Sequence, residues 1–491
     1  MDPLGVIHAD DLSHFLIAKW SWKWAVYLLN DWGRPGFTVL YGPAAYFGWS
    51  ACRIFSAVLT GITAWLTYKI ASDLRIRAAW VVVPLLYLQP LAFKLAETTL
   101  TETPLMLYLT LAIFLAQRGR WSASSAVLSL TFVTRYEAIL FLPIWCFVAW
   151  RKKVSLLRLW PILWAPIVSS ALAACLGATT LFSRLAHPGS SGQYGQGGWL
   201  TFFARSMEAW GPGITVLAIS GMIPLARRSG LLAASAIVYF AGQTILRALG
   251  LYDSGGYARF LVPICPIIAI AALTGWNQLV DRGAENRRWA SASIIAAMLL
   301  LWISMERQLV LYARGRDIIA ELPDINRAKI AIRIATIVIC LLGAWAWLSY
   351  RRQIVSDTLL PAALVAMIAL TAGALCRPLH RPPDLALIDE CLTWAQSNGY
   401  EGRTILSASV WIDFLQGRDL PPDRPSVREQ LARAPVGAIF AWEGQFAGSP
   451  DHRIPLADLL STRSSFRLLH ETGPLPFHSD PYLRLFEKIA P

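Results

Sequence analysis

Long apolar stretches recur along most of this chain, and they limit its fold more than any other feature. Residues 260–280, for example, contain no charged side chain. A helix that crosses a bilayer needs about 20 apolar residues, with a range of about 17 to 25. Charged residues make up 15% of the chain, whereas a soluble globular domain has about 25%. The sequence therefore predicts a polytopic α-helical membrane protein.

Twelve stretches have the composition of membrane spans, although several are short. They are residues 48–71, 78–95, 103–117, 121–134, 137–150, 157–182, 206–226, 230–250, 260–280, 289–305, 329–349 and 358–376. The pair 121–134 and 137–150 is too short for two full crossings of an average bilayer. It predicts either half-helices that meet at residues 135–137 or tilted spans in a thin region of membrane.

Basic residues are concentrated in short loops, and all of these loops fall on one side if the spans alternate. The loops are residues 72–77, 117–120, 151–153, 226–228, 281–288 and 350–352. Loops rich in Lys and Arg remain in the cytoplasm, so we assign this side as cytoplasmic. The loops also explain the net charge of +13. No nucleic-acid-binding motif accompanies this charge, so nucleic acid is not an expected partner.

The composition becomes that of a water-soluble protein from Arg377 onward. The pattern predicts an extramembrane α/β domain over 377–491, joined to a membrane bundle over 1–376 by the Pro-rich hinge 377–384. Its expected helices and strands follow from periodicity. They are helices over 384–396 and 426–434 and strands over 403–410, 436–442 and 482–489.

The seven cysteines are scattered, and no C-x-x-C pair occurs. Neither a disulfide framework nor a zinc site is indicated. Cys376 and Cys391 could pair in an oxidising compartment, but free thiols are the simpler expectation.

Two adjacent carboxylates, Asp10 and Asp11, lie close to the amino terminus, between His8 and His14. The stretch 11–29 is amphipathic rather than spanning, so it is expected to lie on the membrane surface. Ionisable groups near the bilayer are functional candidates. A solvated loop before the first span is the alternative interpretation of the two acids.

Two arginines are expected on the same side as these acids. Arg34 lies in the rigid turn "GRPGF", and Arg259 follows Tyr257 in "YARF" after a pair of glycines. Arginine binds phosphate through two parallel hydrogen bonds and keeps its charge when partly buried. Arg259 could instead extend to lipid headgroups. Together these groups suit a substrate with a lipid tail, a phosphate and a reactive group.

Five short motifs resemble the GT-C class of membrane glycosyltransferases, in the order found in that class. They are His8-Ala9-Asp10-Asp11, "GRPGF" (33–37), "LTETP" (100–104), "FVTRYEAILFLP" (132–143) and "ARFLVPICP" (258–266). The class includes protein O-mannosyltransferases, lipid A aminoarabinose transferases and the mannosyltransferases of lipid-linked oligosaccharide and GPI assembly. Its acidic motif is often His-Pro-Asp-Glu, so Ala9 and Asp11 are departures. The resemblance covers nearly the whole chain, including an extramembrane α/β domain.

The resemblance implies a bundle of about 12 to 13 spans with a small C-terminal α/β domain. It implies inverting transfer of a sugar, as in the mannosyltransferases, from a polyprenyl-phosphate carrier to a protein, lipid or glycan acceptor. Asp10 takes the position of the general base, and Asp11 supports it or replaces it. Arg34 and Arg259 are expected to bind the phosphate, and the other substrate-binding candidates are Glu102, Tyr257 and His8. Arg135 and Glu137 are expected to form a structural ion pair in the membrane.

No cofactor follows with certainty from the resemblance. Asp10, Asp11 and Glu102 could coordinate a divalent cation through oxygens, but no metal is assigned. The expected location is the inner (plasma) membrane of a bacterium, in contact with membrane lipid. The active site and the C-terminal domain are expected to be extracytoplasmic, with a role in building the cell envelope.

Members of the class have a span before the acidic loop, which here lies within residues 5–45. The expectation is that this chain lacks that span, through truncation or loss. The rival function is that of a transporter or flippase for an anionic lipid-linked substrate. A third alternative is an inactive relative of the enzymes that only binds the substrate. The C-terminal domain could recruit the acceptor or a partner, or serve as a lid.

Overall fold

A computed structural model of the chain describes most of its residues. They are residues 4–178, 198–280, 294, 297, 337, 356–444, 446–448, 452, 454–461, 464–475 and 480–490. Apart from residues 294, 297 and 337, the predicted spans 289–305 and 329–349 lie outside the described residues, and so do all residues of the predicted basic loops 281–288 and 350–352. The chain divides into two compact units: the helical unit, residues 28–377, and the sheet unit, residues 1–27 with 378–491.

The helical unit contains thirteen described α-helices, several of them interrupted or short. They are α2 (Pro35–Tyr46), α3 (Trp49–Asp73), α4 (Val82–Tyr87), α5 (Pro90–Leu95), α6 (Glu102–Gln117), α7 (Trp121–Thr134), α8 (Phe141–Arg151), α9 (Trp164–Cys175), α10 (Thr201–Trp210), α11 (Pro212–Arg228), α12 (Gly230–Leu249), α13 (Cys265–Val280) and α14 (Ser356–Leu375). Short 3₁₀ segments connect or extend them at Ala25–Leu29, Ala79–Val81, Tyr136–Leu140, Leu156–Leu163, Leu251–Asp253 and Ala258–Ile264.

Four helical segments among the described residues are long and apolar enough to cross a membrane: Trp49–Asp73, Leu156–Cys175, Gly230–Leu249 and Ala258–Val280. A fifth crossing requires the pair α10 and α11, which is bent by 113°. This bend falls at Gly211 and Pro212, inside the continuous span predicted over 206–226. Pro212 fits the first turn of a new helix, where no N–H is needed, and Gly211 has a φ of 78°. The total of about 12 to 13 spans stays a prediction.

The helix pair over 121–151 is broken where the sequence predicts half-helices to meet. α7 ends at Thr134, and Arg135 has an extended backbone with φ of −151° and ψ of 129°. A 3₁₀ turn at Tyr136–Leu140 then leads into α8. The backbone break turns the side chains of this segment into the helical unit.

Glycines allow the close approach of helices at the centre of the helical unit. A Cβ on Gly221 of α11 would lie 1.9 Å from the carbonyl oxygen of Ala271 in α13. A Cβ on Gly275 would lie 2.2 Å from the carbonyl oxygen of Leu217 in α11. The two backbones therefore pack in direct contact, as small residues permit between apolar helices.

Several of the predicted basic loops meet at one end of the helical unit. Arg118 donates to the carboxylate of Asp73 at 3.1 Å. Arg228 donates to the carbonyl oxygens of Leu74 and Arg75, each at 3.4 Å, and Asn277 donates to the carbonyl of Arg77 at 3.0 Å. This end contains the carboxyl terminus of α6, whereas Glu102 starts the same 16-residue helix about 24 Å away.

The sheet unit combines the amino-terminal segment with the C-terminal region. Its helices are α1 (Ala9–Trp20), α15 (Pro383–Ala395), α16 (Val410–Leu415), α17 (Val427–Arg433) and α18 (Leu456–Leu460), with a π-helical turn at Gln396–Tyr400. Its strands are β1 (Ile405–Ser407), β2 (Ile439–Glu443), β3 (Phe466–Glu471) and β4 (Leu483–Lys488). The five elements predicted from periodicity in this region are present, but the strand predicted over 403–410 is limited to Ile405–Ser407, and Val410 starts a helix instead. The boundary predicted between 376 and 377 stays a prediction.

The four strands form one mixed sheet in the order β1-β2-β4-β3. β1 is parallel to β2, pairing Ile405 with Ile439. β4 is antiparallel to both β2 and β3, with Phe440 opposite Phe486. All five residues of β2 are buried, and Phe440, Trp442 and Phe486 belong to a core that the short helices α17 and α18 complete.

Candidate active site

Three of the five motifs meet at one buried carboxylate of the helical unit. Glu102, the first residue of α6, is 1% exposed. Nη1 of Arg135 donates to its Oε1 at 2.8 Å, and Nε of Arg259 lies 3.5 Å from the same oxygen. The structure therefore brings together "LTETP", "VTRYE" and "ARFLVP", which are distant in sequence.

A second carboxylate, Glu137, extends this cluster. Nε of Arg135 donates to its Oε1 at 2.5 Å, and Nε2 of Gln243 in α12 donates to the same oxygen at 3.3 Å. Nη1 of Arg135 also reaches the Thr101 hydroxyl at 3.3 Å. Arg135 thus bridges two carboxylates rather than pairing with Glu137 alone.

The cluster balances two carboxylates against two guanidinium groups in a largely buried place. Side-chain exposure is 14% for Arg135, 15% for Glu137 and 10% for Arg259. Burying an ion costs several kcal/mol unless it is paired and hydrogen-bonded. Each charge therefore needs the others, and the cluster is sensitive to any change in charge.

Arg34 lies beside this cluster and is held by a different contact. Its guanidinium carbon is 4.0 Å from the centre of the Tyr136 ring, and the Tyr136 hydroxyl donates to Asp31 at 2.9 Å. Across the described ranges, Arg34 forms no ion pair with a carboxylate. Its backbone has a φ of 62°, in a region that residues other than Gly rarely adopt. Strain of this kind concentrates at functional sites.

The local sequence explains how Arg34 reaches this position. Pro35 starts α2, and Gly36 lies so close to the end of α7 that a Cβ would be 2.2 Å from the Thr134 hydroxyl. The Tyr108 hydroxyl of α6 donates to the Gly36 carbonyl at 3.1 Å. "GRPGF" therefore packs directly against "VTRYE", the motif that supplies Arg135.

Aromatic rings cover the arginines from the side of the Ala258–Ile264 turn. The guanidinium carbon of Arg259 is 5.1 Å from the ring centre of Tyr257, and that of Arg135 is 4.4 Å from Phe260. Guanidinium groups are attracted to aromatic faces. Tyr257, predicted as a substrate-binding residue, thus contacts Arg259 in the structure.

The acidic pair lies in the sheet unit, at the start of α1. The imidazole Nδ1 of His8 accepts from the amide of Asp10 at 3.3 Å, and the same atom is 3.1 Å from Asp10 Oδ1. His8 is the N-cap of this helix, and both acids lie in its first turn, where negative charge is stabilised. Asp11 is fully buried, and seven other residues of α1 are buried as well.

The predicted site residues therefore form two groups. Glu102, Tyr257 and Arg259 are in contact in the helical unit, with Arg34 linked to them through the Tyr136 segment. His8, Asp10 and Asp11 are adjacent in the sheet unit, and the roles of all seven stay predictions. Sequence reasoning missed that Arg135 reaches Glu102 and that Gln243 belongs to the cluster. A polar Gln243 within the apolar stretch 230–250 was the available signal.

Among the described residues, no three His, Cys, Asp or Glu side chains form a group that could hold a metal ion. Cys376 and Cys391 are both free thiols.

Two solved structures of ArnT from Cupriavidus metallidurans resemble this chain. The apo form matches with a TM-score of 0.61 at 14% identity, covering 99% of this chain and 95% of that one. The form bound to undecaprenyl phosphate matches with a TM-score of 0.57 at 14% identity, covering 99% and 94%. The GT-C-type fold that the five motifs imply is thus confirmed. No protein-family model and no curated protein sequence matches the chain.

Proposed function

We propose that this protein is a membrane glycosyltransferase that moves a sugar from a polyprenyl-phosphate carrier to an acceptor. The convergence of Glu102, Arg135 and Arg259, with Arg34 beside them, carries this proposal. A random set of short motif matches would have no reason to meet in space. The shared fold with ArnT, one form of which binds undecaprenyl phosphate, supports the same carrier class here.

Arg34 and Arg259 bind the phosphate of the carrier. Arg259 is oriented by Glu102 and Tyr257, which fix the plane of its guanidinium group. Arg34 is a cation with no paired carboxylate among the described residues, so an anionic ligand could pair with its guanidinium group. Charge-assisted hydrogen bonds to a phosphate are stronger than neutral ones, and a strained backbone at Arg34 is consistent with a binding role.

The reaction is a single displacement at the anomeric carbon of the sugar. The acceptor forms its bond to this carbon as the bond to the phosphate oxygen breaks, so the configuration inverts. The polyprenyl phosphate leaves with the electron pair, and the arginines stabilise its charge. Asp10 takes the acceptor's proton as general base, with Asp11 as the second candidate. A positioned base contributes about 10² to 10⁴ in rate.

The apolar helices and the distribution of basic residues support the membrane setting that we propose. The basic loops meet at the end of the helical unit that contains the carboxyl terminus of α6, and Glu102 starts that helix at its other end. With the basic loops in the cytoplasm, the site faces the extracytoplasmic side of a bacterial inner membrane. The acceptor is a protein, lipid or glycan of the cell envelope.

The test is transfer by the purified protein in lipid, supplied with a radiolabelled undecaprenyl-phosphate sugar and a membrane extract as acceptor. Covalent transfer supports an enzyme, whereas movement of the lipid across the bilayer without transfer would indicate a flippase. Asp10→Asn should lower kcat at least about 100-fold. Full activity in this variant would exclude Asp10 as the base, and loss only in Asp11→Asn would move the role one residue along.

The arginine roles are tested by Arg259→Lys, which keeps the charge but removes the paired hydrogen bonds. Affinity for the carrier should fall, whereas Arg118→Lys at the basic end is the matched control and should leave it unchanged. Equal affinity in both variants would contradict phosphate binding by Arg259. Non-additive effects of Asp10→Asn and Arg259→Lys would indicate that both residues act on the same step.

A further inference from the structure

Loops that contain arginine follow three helices and are in contact at one end of the helical unit, which we call the basic end. Arg118, just after α6, donates to the carboxylate of Asp73, the last residue of α3, at 3.1 Å. Arg228, the last residue of α11, donates to the carbonyl oxygens of Leu74 and Arg75, each at 3.4 Å. The structure thus brings together residues 74–77, 118–120 and 226–228, which are distant in sequence.

A fourth basic loop, residues 151–153, lies beside them. The ammonium nitrogen of Lys152 is 6.0 Å from the centre of the Trp121 ring, and Trp121 directly follows the loop 118–120. An ammonium group is attracted to an aromatic face at this distance. This contact therefore links the end of α8 to the start of α7 and extends the basic end.

The basic end has far more positive than negative charge. Among the described residues, Asp73 is the only carboxylate that forms an ion pair with an arginine of the first three loops. These six arginines are all exposed: Arg75, Arg77, Arg118, Arg120, Arg227 and Arg228. Like charges repel one another, and the carbonyl ends of helices attract cations only within about the last turn. An anion at this end would therefore be stabilised by several cations at once.

The backbone at the end of α3 places one of these cations where glycine is normally found. The Arg75 amide donates to the Ser72 carbonyl at 2.9 Å, and the Ile76 amide donates to the Ala71 carbonyl at 3.1 Å. Helices that end with this pair of hydrogen bonds have a left-handed residue, usually Gly, at the position of Arg75. Arg75 has a φ of 53°, so the helix ends with strain that Gly would avoid.

α8 ends in the same way, again with a cation in the left-handed position. The Lys153 amide donates to the Trp150 carbonyl and the Val154 amide to the Ala149 carbonyl, each at 2.9 Å, and Lys153 has a φ of 54°. α6 ends with the same pair of hydrogen bonds but has Gly119 in this position. Strained residues other than Gly concentrate at functional sites. Two strained cations at one end therefore indicate that their charge has a use.

Exposed tryptophans indicate where this end lies relative to a bilayer. Trp80 and Trp150 are largely exposed and are close in sequence to Arg77 and Lys153. Tryptophan is enriched at the interface between membrane and water, at the level of the lipid headgroups. The cations of the basic end are therefore expected at headgroup level, where the available anions are lipid phosphates.

We propose that the basic end is a binding surface for the headgroups of anionic phospholipids in the cytoplasmic leaflet. This inference rests on the membrane orientation of the proposed function, but not on its reaction. A headgroup phosphate contacts arginines from more than one loop and offsets the repulsion between them, as at other clusters of Lys and Arg on the cytoplasmic side of membrane helices. The positive-inside rule explains why basic residues lie on this side. It requires neither the contact between the loops nor the strained cations Arg75 and Lys153.

The experiment measures the thermal unfolding midpoint of the full-length protein in neutral detergent as phosphatidylglycerol is added. Phosphatidylcholine with the same acyl chains tests whether a net negative charge is needed, and inorganic phosphate tests a soluble anion. Arg75→Gly and Lys153→Gly each remove a cation together with its strain. Two controls leave the basic end intact: Arg428→Gln removes an exposed cation of the sheet unit, and Arg259→Lys changes the proposed phosphate ligand at the opposite end.

Phosphatidylglycerol should raise the wild-type midpoint, because a ligand that binds the folded state stabilises it. Phosphatidylcholine should raise the midpoint less, and inorganic phosphate should not raise it. Without lipid, both Gly variants should unfold at the wild-type midpoint or above it, since Gly adopts a positive φ without strain. Each should need about fivefold more phosphatidylglycerol for a half-maximal shift, as expected for the loss of one cation near a headgroup. Both controls should need the wild-type amount.

An equal shift with phosphatidylcholine or with inorganic phosphate would overturn the proposal, because the ligand would then not be an anionic lipid. Wild-type affinity for phosphatidylglycerol in both Gly variants would overturn it as well, whatever their stability. No step of this experiment involves sugar transfer, so failure of the proposed enzyme activity would leave its result unchanged.

Discussion

The guanidinium of Arg135 donates to the carboxylate of Glu102 across 2.8 Å, although these residues belong to different motifs. Arg135 follows α7 in an extended conformation, and Glu102 is the first residue of α6. The two short apolar stretches 121–134 and 137–150 predict a helix break between them, and this break shapes the site. It directs a cation from the end of one helix to a buried acid at the start of another.

Replacing Arg135 by Met should destabilise the helical unit, since Glu102 and Glu137 would lose their shared cation. We expect the free energy of unfolding to fall by about 3 kcal/mol, as when one partner of a buried pair is removed. Thermal unfolding in detergent, followed by tryptophan fluorescence, measures the change. Adding Glu137→Gln should recover part of the loss because it removes one unpaired charge. The same midpoint for the single and double variants would contradict this explanation.

Gly36→Ala should disturb the site without any change in charge. The new Cβ would meet the Thr134 hydroxyl at 2.2 Å and the Leu130 carbonyl oxygen at 2.9 Å, so α2 must move away from α7 and carry Arg34 with it. We expect weaker binding of undecaprenyl phosphate and a lower unfolding midpoint. Gly61→Ala is the control, because its nearest neighbour is 3.9 Å away. Equal behaviour of the two variants would show that the contact does not constrain Arg34.

The contact between α11 and α13 predicts a larger effect on folding. Gly221→Ala and Gly275→Ala would each place a methyl group within about 2 Å of a carbonyl oxygen of the facing helix, at separations of 1.9 and 2.2 Å. Close backbone packing of this kind tolerates no added side chain. The yield of monodisperse protein should fall sharply for both, whereas Gly373→Ala, with open space around its Cβ, should express normally. Normal yield and stability for Gly221→Ala would refute the tight packing.

Periodicity and composition were sufficient for five elements of the sheet unit, because those strands and helices have simple patterns. The buried run 436–442 predicts β2, and "SVREQLARA" predicts α17, which a capping box at Ser426 and Glu429 starts. β3 was not predicted. It is an edge strand with exposed Arg467 and Leu468 and a register shift between Leu468 and His470, so its sequence lacks the regular alternation of a strand.

The helical unit was less predictable, since apolar composition does not reveal where a helix bends. The run 206–226 predicts one span, yet Gly211 and Pro212 divide it. The site shows the same limit. Motif order identified Glu102 and Arg259, but the cluster also depends on Gln243, which is brought in from another helix by tertiary packing. Contacts between distant helices require the fold, which no local pattern encodes.

The buried carboxyl of Glu443 makes stability depend on pH. Burial first, and then the Asp384 charge, raise its pKa from 4.5 to about 7, against the Tyr482 hydrogen bond, which lowers it. The folded protein thus keeps this proton to a higher pH than the unfolded chain does. The stability that this carboxyl contributes should be fully present below pH 4.5 and should be lost as the pH rises through about 7, by about 3 kcal/mol in total.

Glu443→Gln tests this dependence, because the amide can still accept from Tyr482 but does not titrate. The difference between unfolding midpoints at pH 5 and pH 8 should shrink in this variant and persist in Glu401→Gln, which changes an exposed acid. An undiminished difference in Glu443→Gln would assign the pH dependence to other groups.

Arg34→Gly should separate stability from function. Arg34 has a φ of 62°, and relief of such strain stabilises a protein by about 1 to 3 kcal/mol. The added flexibility of Gly in the unfolded chain offsets about 0.5 to 1 kcal/mol of this, and the lost contact with Tyr136 offsets a similar amount. The unfolding midpoint should therefore stay equal to that of the wild type or rise. Binding of undecaprenyl phosphate, measured by its protection against thermal unfolding, should weaken at least tenfold if the Arg34 guanidinium binds the phosphate. A variant that is destabilised yet binds the lipid normally would make Arg34 a structural residue and leave Arg259 as the phosphate ligand.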